Sequence, residues 1–151
     1  MFGKIKTLDE LNQALTRLNG EIQNIQRACD FQKYSDLSAL EVPSNDADGI
    51  YLWNELREIM NRLDDVQMRI LRVNAPVELS GALYKTPRGR YMIPGQEYEL
   101  TCGCGVELLI DDGSYDIPYW CAGRIEHNGT DYYFTGCPKM PLEGAQARIR
   151  R

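Results

Sequence analysis

The sequence predicts an α+β protein, with an N-terminal antiparallel helical hairpin (coiled-coil-like) followed by a small bent antiparallel sheet or an SH3-like β-barrel. Two apolar series with heptad spacing predict the hairpin over residues 1–75. From residue 76 onward the apolar residues alternate with polar ones and tight-turn sequences recur, which is typical of a small all-β domain. We therefore expect two domains, residues 1–75 and residues 76–151, the second ending in a basic C-terminal tail.

The first helix is predicted to begin beside Thr7, because Thr7 and Glu10 have the spacing of a capping box. The apolar residues that follow are separated alternately by three and four positions, which is the a/d repeat of a coiled coil. They are Leu8, Leu11, Leu15, Leu18, Ile22, Ile25 and Cys29. This repeat predicts one long helix with a single apolar stripe.

A second series with the same spacing predicts a second helix, which must end before Pro76. Its members are Leu52, Leu56, Ile59, Leu63, Val66, Ile70 and Val73. Two stripes of equal length joined by one loop predict an antiparallel pair in which the stripes meet. The segment between them, residues 31–44, is expected to pack over the end of the hairpin.

The second helix also carries a candidate interaction surface. Trp53 and Met60 flank the stripe and widen it around Leu56 and Leu63. A folded protein rarely leaves a large apolar patch open, so this face must be covered by the β domain, a second copy or a foreign protein. The residues leave these alternatives open, although self-association or docking within the chain is favoured over a foreign partner in a helix groove.

Turn sequences predict the strands of the β domain. Thr86–Pro87–Arg88–Gly89 favours a tight turn, and residues 98–110 alternate as a strand that bends at Gly103 and Gly105. Asn128–Gly129 predicts a two-residue type I′ hairpin between residues 119–127 and 130–135.

That hairpin register defines a candidate binding surface on the β domain. It pairs Arg124 with Tyr133 in a cation–π contact on the face opposite the core, and it pairs Glu126 with Asp131. Trp120 lies on the same strand as Arg124. We therefore predict that Trp120, Arg124 and Tyr133 form an interaction surface.

Three stretches of the β half form one pattern. They are Ser80-Gly81-Ala82-Leu83-Tyr84, Tyr98-Glu99-Leu100-Thr101-Cys102-Gly103, and Arg124-Ile125-Glu126-His127 with Tyr132-Tyr133-Phe134. This pattern resembles a small all-β family of unknown function that occurs in Firmicutes and in their phages and mobile elements. The resemblance covers residues 79–136. It implies a β fold and a mobile-element setting, where small acidic proteins often act by occupying a host protein, and it supplies no catalytic residue.

The composition excludes several classes of protein. The net charge is −5, and residues 1–78 hold thirteen acidic against nine basic residues, which argues against non-specific binding of nucleic acid. No apolar run approaches the roughly 18 residues that a membrane span needs, so we expect no membrane partner, and the N-terminus does not resemble a signal peptide. Five cysteines without such a signal predict a reducing, cytoplasmic setting.

Nucleic-acid binding is the main alternative function. Lys85, Arg88 and Arg90 cluster at one turn beside two tyrosines, and arginines end the chain, a combination that can hold single strands by charge and stacking. Basic residues also protect exposed sheet edges from pairing, and we favour that interpretation.

A zinc or thiol enzyme is the least favoured alternative. Cys102, Cys104, Cys121 and Cys137 could form a tetrahedral zinc site, but they offer one CxC pair and two isolated thiols instead of two CxxC turns. Thiols in the β core are favoured, and His127 is expected at a solvated turn. The sequence therefore predicts a non-catalytic interaction protein without a cofactor, which binds a host protein or itself as a homo-oligomer.

Overall fold

A computed structural model of the chain describes residues 4–33, 37, 39–41 and 45–151. It divides into two units, Met1–Asn74 and Ala75–Arg151. The first unit contains helices α1 (Leu8–Ala28) and α2 (Ala47–Asn74). The strands of the second unit are β1 (Val77–Ala82), β2 (Tyr84–Lys85), β3 (Tyr91–Met92), β4 (Gly105–Ile110), β5 (Tyr119–His127), β6 (Tyr132–Phe134) and β7 (Gln146–Arg150). The predicted α+β architecture is confirmed.

The predicted capping box begins α1. The Glu10 backbone N–H donates to Thr7 Oγ1 at 3.1 Å, and the Thr7 N–H donates to the Glu10 carboxylate at 3.3 Å. These two bonds satisfy N–H groups that the first turn of a helix leaves without partners.

The two helices form the predicted antiparallel pair, but they meet along a different stripe. The Asn12 amide donates to Asn74 Oδ1 at 2.8 Å, and Gln26 Nε2 donates to Asp64 Oδ1 at 3.4 Å, so the helices run in opposite directions. Asn19 and Gln67 are buried between these two points. In the heptad register of the leucines, the contact therefore follows the e positions of both helices, with Asp64 at a neighbouring b position of α2.

The prediction that the apolar stripes meet each other is wrong. Of the fourteen a/d residues only Ile22 and Ile70 are buried. The amides at the e positions hydrogen-bond across the pair, and this contact leaves both stripes to one side. The joining segment cannot be compared in full with its prediction: residues 34–36, 38 and 42–44 lie outside the described residues, while Leu37 between them is buried.

The second unit is an open antiparallel sheet in the order β1-β7-β4-β5-β6, with β2 and β3 as a separate hairpin. Of the two predicted β architectures, the bent sheet is therefore correct and the closed barrel is not. Its core comes from alternate residues of β4 and from residues facing them. They are Val106, Leu108, Ile110, Ile125, Phe134, Ala147 and Ile149, with Leu83, Tyr91, Ile93, Leu100 and Leu142 from the connections.

Two predictions about the ends of the β domain need correction. The basic C-terminal segment is part of the sheet rather than a tail, because Gln146–Arg150 is strand β7, which lies between β1 and β4. The last hairpin has a four-residue loop, since His127 pairs with Tyr132 and Glu126 pairs with Tyr133. Asn128 Oδ1 accepts from the N–H groups of Thr130 and Asp131 at 2.9 and 3.0 Å, and this Asx turn lengthens the loop.

The predicted strand over residues 98–110 is shorter than expected. Only Gly105–Ile110 is a strand, and Gly103 has a positive φ of 84°, in a turn where the Cys104 N–H donates to the Thr101 carbonyl. The bend that the glycines predicted is therefore a full turn. Alternation of buried and exposed residues holds within β4 but not before it.

Candidate functional site

The largest candidate site is an exposed apolar surface on the hairpin, which we call the apolar face. Ten of the fourteen a/d side chains are between 36% and 84% exposed. They are Leu8, Leu11, Leu15, Leu18 and Ile25 of α1 and Leu52, Leu56, Ile59, Val66 and Val73 of α2. The helices thus present to solvent the residues that normally form a coiled-coil seam.

Both stripes of the apolar face lie on the same side of the hairpin. The helices contact each other through their e positions. Viewed along each helix from its N-terminus, the row of e positions is rotated by roughly 70° from the centre of the a/d stripe, and the direction of rotation is the same in both helices. Because the helices run antiparallel, equal rotations turn both stripes toward one side. About half of the surface of ten such side chains amounts to on the order of 500–700 Å².

The four helical residues predicted to form one interaction surface do not all lie on it. Leu56 is exposed within the apolar face, and Leu63 is half-buried at its edge. Met60 is buried and Trp53 half-buried, with the Arg57 guanidinium 5.0 Å from the Trp53 ring. Met60 and Trp53 are therefore not part of the exposed surface, because the e side of α2 faces α1.

The second candidate site is the sheet surface opposite the core, which we call the outer sheet face. Trp120 lies opposite Leu109 and Arg124 opposite Gly105, while Tyr133 lies opposite Glu126. The strand alternation puts all of these on one side of the sheet. The structure therefore places Trp120, Arg124 and Tyr133 on one side of the sheet.

The contacts within the outer sheet face differ from the predicted ones. Arg124 lies beside Thr135 rather than Tyr133, because its N–H donates to Thr135 Oγ1 at 2.9 Å. The predicted cation–π pair of Arg124 and Tyr133 is therefore wrong. Instead the guanidinium of Arg148 lies 4.2 Å from the ring of Trp120. This contact holds the indole ring against the sheet while leaving Trp120 38% exposed.

The centre of the outer sheet face is a carboxylate between two arginines. Glu107 pairs with Arg148, and Arg150 Nε lies 3.2 Å from both of its oxygens. The Glu107 side chain is only 14% exposed. Arg148 and Arg150 were missed as members of this surface, although the alternation of Ala147 and Ile149 with them is a strand signal that the sequence contains.

The basic turn proposed for nucleic acid is mostly paired with acids. Lys85 Nζ lies 2.7 Å from Asp131 Oδ2, and Arg90 Nη1 lies 3.3 Å from Glu99 Oε2. Arg88 is exposed. The hydrogen bond from Lys85 lowers the pKa of Asp131, and the same bond raises the pKa of Lys85. The predicted pairing of Asp131 with Glu126 does not occur, because Glu126 pairs with Tyr133 and Asp131 lies in the loop before β6.

The Lys85–Asp131 pair makes a prediction about acid stability. Because the pKa of Asp131 is lower in the folded chain, its contribution is present above the unfolded pKa of about 4 and is lost as the pH falls through the folded pKa. Asp131→Asn should therefore lower the thermal midpoint at pH 7, and the difference from the natural chain should shrink as the pH falls through the folded pKa. Thermal unfolding followed by circular dichroism checks this. Asp116→Asn, an exposed aspartate, is the control, and equal effects of both variants would contradict the prediction.

The four cysteines of the β domain do not form one cluster. Cys102 is exposed, contrary to its predicted place in the core, whereas Cys104, Cys121 and Cys137 are half-buried. Burial is the main cause that raises the pKa of the Cys121 thiol. Within the part of the chain that the structure describes, no three His, Cys, Asp or Glu side chains are close enough to hold a metal ion. His127 is the last residue of β5, beside the hairpin loop, and its Nδ1 accepts from the Gly129 N–H at 3.1 Å.

Comparisons with known proteins add one finding. Residues 81–149 match the model of a family described as a domain of unknown function (DUF5348); the match lies within the second unit and does not include the helices. No curated protein and no solved structure matches the chain. Among the described residues, no helix is long and apolar enough to cross a membrane.

Proposed function

We propose that this chain is a non-catalytic interaction protein whose helical hairpin binds another polypeptide through the apolar face. The observation that carries the proposal is the exposure of ten seam residues on one side of two paired helices. Soluble monomers rarely expose patches of more than about 300–600 Å², and larger ones usually mark binding sites. The apolar face reaches or exceeds that size.

The outer sheet face supports a second contact in the same proposal. Trp120 and Arg124 are exposed there on β5, which pairs with β4, and the pairs of Glu107 with Arg148 and Arg150 join β4 to β7. Tryptophan and arginine are the residue types that most often contribute binding energy at protein interfaces. We assign this surface to a host protein, consistent with the mobile-element setting and the cytoplasmic location that the sequence suggests.

The alternatives have less support. A nucleic-acid site would need free cations, but Lys85 and Arg90 are paired with acids, and Arg148 and Arg150 lie within the sheet beside Glu107. A thiol enzyme would need an activated cysteine, whereas burial raises the pKa of Cys121 and so disfavours its thiolate.

Site-specific photo-cross-linking tests the proposal. The photoreactive residue p-benzoylphenylalanine replaces Ile59 in the apolar face or, as a control, Ile117, which is exposed in a loop of the β unit. The full chain is irradiated in bacterial cells and after purification. We expect position 59 to cross-link to another polypeptide chain, either a second copy or a different protein, and position 117 to give no such product. Equal yields from both positions, or no product from position 59, would overturn the proposal.

A further inference from the structure

We infer that the polypeptide covering the apolar face is a second copy of this chain, and that two hairpins form a four-helix bundle in which α2 packs antiparallel against α2 of the other copy. This inference rests on the proposed function, since it names the partner of the same surface. A standard interface buries about 800 Å² on each partner, and the apolar face of roughly 500–700 Å² with its polar rim comes close to that value.

The charges beside the apolar face of α2 are arranged in a self-complementary order. Its outer edge, at the heptad g positions, carries Glu55, Arg62 and Arg69 in sequence, so that an acidic residue begins the stripe and a basic residue ends it. In coiled coils the residues at the e and g positions form the interhelical salt bridges that set orientation. Because the e positions already face α1, the g edge is the one that meets a neighbouring hairpin.

A two-fold axis fixes which charges would meet. The apolar stripe of α2 runs from Leu52 to Val73, and an axis through its middle places Glu55 of one copy beside Arg69 of the second copy. The symmetry makes two such pairs. Arg62 would lie near its own symmetry mate, and its charge is offset by Glu58, whose Oε1 lies 3.6 Å from Arg62 Nε on the same helix.

The same geometry shows that Glu55 and Arg69 cannot pair within one chain. They are fourteen positions apart on one continuous helix, a separation of about 21 Å along its axis. Both side chains are exposed in the single chain. If the effects of substituting Glu55 and Arg69 depend on each other, the two residues must therefore interact between two copies. Exchanging their charges is for this reason a specific test of the second copy.

The α1 edge fits the same arrangement. Its g positions are occupied by Thr7, Ala14, Glu21 and Ala28. Ala14 is already buried in the single chain, and Glu21 is the one charged residue among these four, so no like-charge pair arises when α1 meets α1 of the second copy about the same axis. The Asn12–Asn74 and Gln26–Asp64 bonds place the C-terminal end of α1 beside the middle of α2, so the apolar stripe of α2 forms the centre of the interface and α1 meets α1 of the second copy near their C-terminal ends.

A charge-exchange series on the full chain tests this inference by sedimentation equilibrium. Glu55→Arg and Arg69→Glu each bring like charges together twice in the dimer and should each raise its dissociation constant by about tenfold. The double variant restores opposite charges and should return the constant close to that of the natural chain. Arg72→Glu is the control, because Arg72 lies at a c position that faces away from the seam and should change it by less than about twofold.

The outcomes separate this inference from the proposed function. Recovery in the double variant supports the antiparallel pairing of α2 with α2. Single variants without effect, or a double variant that is weaker than both, would overturn that pairing. If the natural chain stays monomeric while position 59 cross-links only to a different protein, the second copy is excluded and the interaction function stands. If position 59 gives no product, the proposed function itself fails. Circular dichroism shows that each variant keeps its helix content.

Discussion

Replacing Leu56 by aspartate is expected to raise the dissociation constant of the dimer by roughly 1000-fold or more. Leu56 lies within the apolar face, and the two-fold arrangement would bury two of the new carboxylates in one interface. Burying a charge without a partner in apolar surroundings costs several kcal/mol, and two such costs of about 2 kcal/mol correspond to that factor. Light scattering after size-exclusion chromatography measures the change as conversion of dimer to monomer.

The control for this prediction is Asn54→Asp, which adds the same charge two residues away on an exposed position. It should leave the dimer intact. The single chain already exposes 40% of Leu56, so the substitution should cost the separate hairpin less than it costs the dimer, and circular dichroism checks that the monomer remains helical. A Leu56→Asp chain that keeps the mass of the natural protein would contradict the proposed dimer.

The second large effect is expected in the β unit, where Gly123→Ala should destabilise the fold by about 2–4 kcal/mol. A methyl group at Gly123 would lie 2.5 Å from Cε2 of Phe134, a ring that is fully buried in the core. Gly136 lies against the opposite edge of the same ring, where an added methyl group would lie 2.5 Å from Cε1 of Phe134. The ring therefore has no room to move away from Gly123. Overpacking of this kind usually costs about 1–3 kcal/mol, and more where the neighbours are rigid.

Urea unfolding of the Gly123→Ala chain, compared with the natural chain, measures this loss of stability. Gly105→Ala is a matched control, because Gly105 lies on the neighbouring strand β4 and an added methyl group would meet no atom within 4 Å. Its free energy of unfolding should change by less than about 0.5 kcal/mol. Exchanging Phe134 for leucine in the Gly123→Ala chain should recover part of the loss. Equal effects of Gly123→Ala and Gly105→Ala would contradict the described core.

The helices and several turns could be predicted from local chemistry alone. The capping box of Thr7 and Glu10 is a contact between residues three positions apart, and Pro76 excludes a longer α2. The turn after Lys85 likewise depends on adjacent residues, and there the Gly89 N–H donates to the Thr86 carbonyl. Such features need no knowledge of the tertiary structure.

The contact between the helices could not be predicted from apolar spacing. The heptad repeat identifies a stripe that must be buried, but it does not say whether the other helix or another chain buries it. The choice is made by polar residues, since Asn12 with Asn74 and Gln26 with Asp64 hydrogen-bond across the pair. The spacing of apolar residues carries no information about these polar side chains. Trp53 and Met60 are consequently predicted on the exposed surface of α2, whereas they lie on the side that faces α1.

For the outer sheet face, the sequence predicts which side of the sheet some residues occupy but not which residues contact one another. Trp120, Arg124 and Tyr133 share a face because a two-residue shift of register preserves the alternation of a strand, so the wrong turn did not change their side. The pairing of Glu107 with Arg148 and Arg150 joins residues about forty positions apart. No local signal specifies such a pair until β7 is recognised as a strand.

Sedimentation equilibrium of the natural full chain at micromolar concentration tests the central claim most directly. The chain mass is 17.3 kDa, and we predict a species of twice that mass that dissociates reversibly on dilution. A single species of 17.3 kDa at every concentration up to the millimolar range would contradict the dimer, because the apolar face would then remain in water without a second copy to cover it.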